Sequence, residues 1–163
     1  MMKGKQMLIG LSLIVMGIII DQITKLIAFK NFADLQNRKA IPGIFKFVLL
    51  ENEGAGFGVL QGKLWFFIII TIVALGFLAY LAKDFDLKEN AIFSASYILI
   101  VIGTIGNFID RLFNNGLVRD FLTFDFMNFP SFNFADMCLT VGVFFLTLDI
   151  LFGNTGVKWT KSS

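Results

Sequence analysis

The sequence predicts an integral membrane protein, mainly α-helical, with four transmembrane helices and a small β-forming stretch outside the bilayer. Three observations predict it. Of 163 residues, 56% are hydrophobic and 16% charged, whereas soluble domains average about 25% charged residues. The apolar residues gather in four long runs, and a membrane-spanning helix needs roughly 20 residues. Most of the acids and amides lie instead in the two long connections between those runs. With a mean hydropathy of +0.78, the chain carries more apolar surface than one small core can hide. That excludes an ordinary soluble enzyme and a disordered segment.

Charge and residue usage narrow the function. Lys+Arg 14 against Asp+Glu 12 gives a net charge of +2, too little to hold phosphate backbones, so no nucleic-acid partner is expected. A single Cys excludes a disulfide framework within the chain. There is no His, which removes the commonest metal ligand and the commonest general base. Neither a metal nor a cofactor is expected, and catalysis must run on carboxylates, Lys or a hydroxyl.

The first span is expected at 7–29. Lys3 and Lys5 precede it as they would a signal peptide, but the run continues through Asp21-Gln22-Ile23-Thr24-Lys25 with no small-x-small cleavage site. It is therefore expected to be retained. Asp21 and Lys25 stand one turn apart. They form either an ion pair that neutralises both near the interface or a polar support facing the bundle interior. In the connection 30–63, Ile44 to Leu50 is rich in β-formers and predicts a strand. The following Glu51-Asn52-Glu53-Gly54-Ala55-Gly56-Phe57-Gly58 permits close backbone approach. It lacks the Lys-Ser/Thr that a phosphate-binding loop needs.

The second span is expected at 64–82, with Trp65 and Tyr80 suited to the two aromatic belts. The third is expected at 91–109. Near its end Asn107, Asp110 and Arg111 share one face, and Gly103 and Gly106 let a neighbouring helix come close. The connection 110–136 contains Asp120 and a phenylalanine-rich run from Phe121 to Phe134, suited to insertion at the lipid surface or to lipid contact. The fourth span is expected at 137–153, with Asn133 as N-cap and Asp136 in the first turn. Asp149 lies deep in this span without a cationic neighbour one turn away. It is either a protonated, hydrogen-bonded packing residue or a relay group for transport.

Lys and Arg outside the spans set the orientation. The N-terminus, the short connection 83–90 and the C-terminus carry six in about 25 residues; the two long connections carry seven in about 61. The density places both termini in the cytoplasm and the long connections outside. On that side fall Asp21, Lys25, Asn52, Asn107, Asp110, Arg111, Asp120, Asn133 and Asp136, so a polar site is expected at the outer face. Lys25 has no serine close in sequence. What remains is a pair of carboxylates sharing one proton, one activating water and the other polarising a carbonyl. Asp110, Asp120 and Asp136 are the candidates, giving three pairs.

Five segments occur in order: Asp21 to Lys25, Asn52 to Phe57, Gly103 to Arg111, Gly116 to Phe121, and Phe132 to Asp136. Together they resemble the lipoprotein signal peptidase (signal peptidase II) family over most of the chain. The resemblance implies a single domain over 1–163 with four transmembrane helices, a small extracytoplasmic β-rich cradle and a short periplasmic helix or loop. It maps the catalytic pair to Asp120 and Asp136. Asn52, Asn107, Asp110, Arg111 and Asn133 fall at supporting or substrate-contacting positions, with Asp21 as a polar support in the first helix. Lys25 and Gly54 belong to the same matching segments. Gly56 and Arg119 depart from the usual pattern, and the stretch 110–116 is one residue longer. The implied substrate is a diacylglyceryl-modified bacterial prolipoprotein, cleaved just before the lipidated Cys in the cell membrane. Membrane lipid is an expected partner, and a monomer is expected. The competing reading is a small transporter or channel using Asp21 and Asp149.

Overall fold

A computed structural model of the chain describes residues 3–31, 39–54, 60 and 62–152. Among them are helix α1 (Lys3–Asn31), strands β1 (Lys39–Ile41) and β2 (Phe45–Asn52), and helix α2 (Leu64–Leu81) with a 3-10 turn behind it. Helix α3 (Ala91–Phe113), strand β3 (Val118–Phe124) and helix α4 (Phe134–Phe152) follow. All four helices are long and apolar enough to cross a membrane, as the composition predicts. The strands form one antiparallel sheet in the order β1-β2-β3.

Helix α3 is the centre of the bundle and packs on α1, α2 and most extensively α4. It alone has a long buried face, from Phe93 through Ile102 to Asp110. On α1, α2 and α4 the outward apolar residues, such as Leu11, Ile72 and Phe144, present the surface that lipid tails match. Because lipid is as apolar as leucine, helix association here depends on close packing. The glycines supply it: a Cβ on Gly103 would overlap the Ala135 carbonyl oxygen and Leu139, and one on Gly106 would sit 2.6 Å from Asp21 Oδ2. The turn from α3 into β3 needs left-handed backbone, which Asn115 and Gly116 provide at φ 51° and 87°.

Three of the four spans differ at their ends by two residues or more from the sequence reading. Helix α3 runs to Phe113 rather than 109, so Asp110 and Arg111 are helical. Helix α4 begins at Phe134 rather than 137, and α1 extends from Lys3 to Asn31 rather than 7 to 29. Hydropathy ends where polar residues begin, but at the end of α3 and the start of α4 the polar side chains of Asp110, Arg111 and Asp136 find partners and the helices continue. The expected strand at 44–50 is β2, displaced by one or two residues. Strand β3 is not evident in the sequence because it is covered on both sides and so lacks a polar alternation. Gly153 lies outside the described residues.

The packing argument makes a prediction. Gly103→Ala should destabilise the protein by about 1–3 kcal/mol through overpacking. Gly76→Ala, where nothing lies within 4 Å, should be neutral or stabilising by up to about 1 kcal/mol. Thermal unfolding in one detergent compares the two.

Candidate active site

The start of α4 is built around a reciprocal cap. Asn133 Oδ1 accepts the Asp136 backbone N–H at 3.0 Å, and Asp136 Oδ2 accepts the Asn133 backbone N–H at 3.1 Å. This is the capping-box exchange, with Asp at the third helical position. It satisfies backbone donors that a helix start leaves open and fixes the Asp136 rotamer. The Asn133 amide also donates to Asp120 Oδ1 at 2.7 Å, so one residue holds both acids.

Asp120 comes from β3, and a register shift aims its second partner. Phe47 pairs with Leu122, but Leu50 pairs with Asp120 and Asn52 with Val118. One extra residue on β2 between these pairs reverses which side of the sheet the later side chains face. Without it Asn52 would face away from Asp120. With it, Asn52 Nδ2 donates to Asp120 Oδ2 at 3.1 Å.

Asn107 on α3 completes the set by donating to Asp136 Oδ1 at 2.7 Å. All four oxygens of the two carboxyl groups thus accept from an amide N–H. The orientation of Asn107 is itself fixed, because its Oδ1 accepts from Lys25 Nζ and from Asn133 Nδ2, both at 3.1 Å. Lys25 and Asp21 are fully buried and 2.9 Å apart, and Lys25 also reaches Asp110 at 3.4 Å. The fold combines the two readings of Asp21 and Lys25: they form the ion pair one turn apart, and the pair is buried in the bundle interior. Asp21 further accepts the Ala135 N–H at 2.9 Å, tying α1 to the start of α4.

Both acids line a cavity of about 670 Å³ between α2, α3, α4 and the sheet, whose wall is mostly apolar, including Phe67, Ile70, Phe129 and Met137. Arg111 stands at its edge, 4.5 Å over the Phe67 ring, and donates to the Asn107 and Gly54 carbonyls at 3.4 Å. Burial, and secondly the neighbouring Asp136 charge, push the Asp120 carboxyl from 3.8 up to about 7. The amides of Asn52 and Asn133 and the Lys25 charge oppose this.

The structure therefore brings together Asp120, Asp136, Asn52, Asn107 and Asn133, backs them with Asp21, Lys25 and Asp110, and sets Arg111 and Gly54 at the cavity edge. Asp149 stands apart: it is 13 residues beyond Asp136, roughly 20 Å along α4. It is buried, and its Oδ2 has no hydrogen-bond partner among the described residues. Gly56 and Gly58 lie outside the described residues. Two residues of the network escaped the sequence reading as site residues. Gln22 donates to Asp21, Asp110 and the Gly106 carbonyl, and Arg119 is paired with Asp110. A glutamine beside an intramembrane Asp, and a charged residue in a strand otherwise buried, were the available signals.

A sequence profile described as signal peptidase (SPase) II matches residues 13–152. The chain belongs to the signal peptidase II family. Similar proteins include the lipoprotein signal peptidase of Lactiplantibacillus plantarum, 41% identical over 145 residues, covering 89% of this chain and 95% of that one. That of Streptococcus thermophilus is 43% identical over 130 residues, covering 79% and 83%. A solved bacterial membrane enzyme structure, obtained by the in meso method, aligns with a TM-score of 0.80 and 32% identity over 99% of this chain and 96% of its own. A second has a TM-score of 0.77 and 34% identity, covering 93% and 95%. For this signal peptidase II homologue, the four-helix membrane architecture with a three-stranded sheet is thus shared by solved relatives.

The raised Asp120 value has a stability consequence. Unfolded Asp120 ionises near 3.8 and folded Asp120 near 7. Between those values the folded state holds the extra proton, so this residue's contribution to stability is full below about 3.8 and is lost as pH rises through about 7. Asp120→Asn should make the fall in melting temperature between pH 4 and 7 shallower than in the parent protein.

Proposed function

We propose that the protein is an aspartic endopeptidase that removes the signal peptide from diacylglyceryl-modified bacterial prolipoproteins, cutting just before the lipidated Cys. Asp120 and Asp136 are the catalytic pair. The observation that carries this reading is the pair itself: a buried carboxyl group and a half-buried one from different elements, held through one asparagine, on the wall of an apolar cavity.

Close carboxylates in a poorly hydrated site share one proton, and the pair titrates as a unit. The ionised member takes a proton from water, and the oxygen of that water bonds to the carbonyl carbon before the target Cys. The protonated member donates to the carbonyl oxygen as the C=O bond opens. Collapse of the tetrahedral species breaks the C–N bond, and a carboxyl proton passes to the departing nitrogen. The amides of Asn52, Asn107 and Asn133 fix the four carboxyl oxygens throughout, so little reorganisation accompanies the proton transfers. Arg111 lines the same cavity, and its buried Nε has no partner among the described residues.

The substrate enters from the bilayer, which the apolar walls of the cavity support. Two acyl chains anchor the peptide, at about 0.8 kcal/mol per buried CH₂, and hold the scissile bond at fixed depth. The density of Lys and Arg supports cytoplasmic termini and an active site at the outer face of the cell membrane. The enzyme works as a monomer, since both acids and all their amide partners come from one chain. The transporter alternative is not favoured: Asp21 is occupied with Lys25 and the Ala135 N–H, and Asp149 is far along α4.

Asp120→Asn and Asp136→Asn should each reduce cleavage of a lipidated precursor by at least about a thousandfold while the protein remains folded in detergent. Substantial turnover by either variant refutes the pair. Given the anchoring argument, the unlipidated form of the same precursor should be cleaved far more slowly than the lipidated form. Equal rates would show that the site does not read the lipid.

A further inference from the structure

Arg119 stands beside Asp120 on β3, and the strand pleat turns the two side chains to opposite faces. Asp120 faces the cavity; Arg119 faces the buried ends of α1 and α3. There one residue makes a three-element clamp. Its backbone N–H donates to Asp110 Oδ2 at 2.8 Å, and its Nη2 donates to Asp110 Oδ1 at 2.6 Å and to Gln22 Oε1 at 3.0 Å. Nε adds a longer bond to Asp110 Oδ2 at 3.3 Å. Gln22 closes the ring by donating to Asp21 and Asp110 at 3.0 and 3.3 Å.

From this geometry we infer that Arg119 is a positioning residue for the proposed reaction, fixing Asp120 through the β3 backbone and Asp136 through Asp110, Lys25 and Asn107. The inference rests on the assignment of Asp120 and Asp136 as the catalytic pair. The first route is mechanical. A guanidinium fork on a carboxylate is short, strong and directional, and here it anchors the backbone one residue from Asp120 to two helices.

The second route is electrostatic. Asp21 and Asp110 are balanced by Lys25 and Arg119, so the set is neutral. Arg119 takes the closer approach to Asp110, at 2.6 Å, and leaves Lys25 at 3.4 Å. Lys25 is thereby free to hold Asp21 at 2.9 Å and the Asn107 carbonyl at 3.1 Å. Without Arg119, Asp110 carries an uncompensated charge and draws the Lys25 ammonium toward itself. Asn107 then loses the bond that aims its Nδ2 at Asp136. The charged groups facing this cluster are Asp21 and Lys25 on α1, Asp110 and Arg111 on α3, Asp136 on α4 and Asp120 on β3. Glu51, opposite Arg119 on β2, engages Asn114.

Arg119→Val, Arg119→Lys and Gln22→Ala test the inference with the lipidated precursor, reading kcat, KM, the pH profile and the melting temperature in detergent. Arg119→Val should fold, keep KM within about twofold and lose about 10- to 100-fold in kcat, the scale of an ångström-sized misplacement. The alkaline limb of its kcat profile should move to higher pH, because Lys25, displaced toward Asp110, stabilises ionised Asp120 less. Arg119→Lys keeps the charge but cannot span Asp110 and Gln22 together, so it should recover only part of kcat. Wild-type kcat with an unmoved alkaline limb in Arg119→Val overturns the inference, whatever its melting temperature; full recovery in Arg119→Lys overturns its mechanical route and supports the electrostatic one. Should Arg119→Val fail to fold, a fall in kcat at unchanged KM in Arg119→Lys and Gln22→Ala supports the inference, and wild-type kcat in both overturns it. Asp120→Asn in the same assay separates the two claims: turnover there removes the catalytic pair, whereas its loss beside a normal Arg119→Val removes only the role of Arg119.

Discussion

The burial of Lys25 constrains the rest of the site. Its ammonium is inaccessible to water and needs three acceptors, because an unpaired buried charge costs several kcal/mol. It finds them in Asp21 one turn earlier and in Asp110 and Asn107 on α3. Each partner then performs a second task. Asp21 accepts a backbone N–H at the start of α4, Asp110 receives the β3 residue that precedes Asp120, and Asn107 turns its amide toward Asp136. Three helices and the sheet therefore converge on a cation that itself lies behind the Asp120 and Asp136 carboxyl groups. Satisfying a buried charge and placing two carboxyl groups are one problem with one solution.

The two acids are held by devices that folding already requires. A helix start must satisfy its open N–H groups, and the Asn133–Asp136 exchange does so while fixing Asp136. An antiparallel pair must choose a register, and the shift between Phe47 and Leu50 sets Asn52 on the side of Asp120. Neither device is an addition to the scaffold. Removing either would disturb the fold and the placement of the two carboxyl groups together.

Close helix packing serves the site as well. Lipid supplies no hydrophobic force between helices, so α3 and α4 approach through Gly103, Gly106 and Gly142. At Gly106 the missing side chain is the space occupied by the Asp21 carboxylate. A glycine that looks like a helix-packing residue is thus also a socket for a polar side chain. The outer surfaces of α1 and α2 carry no comparable detail; they are apolar nearly all round, as spans facing lipid should be.

The sequence by itself determined the class of the protein and most of the site's membership. Four apolar runs of spanning length can be satisfied only as helices in a bilayer, and the absence of His turned the search for acids and bases toward carboxylates, Lys or a hydroxyl. Asn133 three residues before Asp136 already marked the start of α4. The ordered segments carrying Asn52, Asn107, Asp110, Arg111 and Asp120 marked the rest. The residues alone left three carboxylate pairs open, however, because spacing along a chain does not say which acids meet. Tertiary structure decided that Asp110 turns inward to Lys25 and Arg119 while Asp120 and Asp136 face the cavity. It decided which side of β2 Asn52 faces, since one extra residue in a strand inverts the face and leaves no mark in composition. It also recruited Gln22 and Arg119: the partners of Gln22 outside α1 are 84 to 97 residues distant, and those of Arg119 are as close as nine. Such contacts arise from the close approach of α1, α3 and β3, which depends on the glycines between helices and on a turn tight enough to fold β3 back against α3.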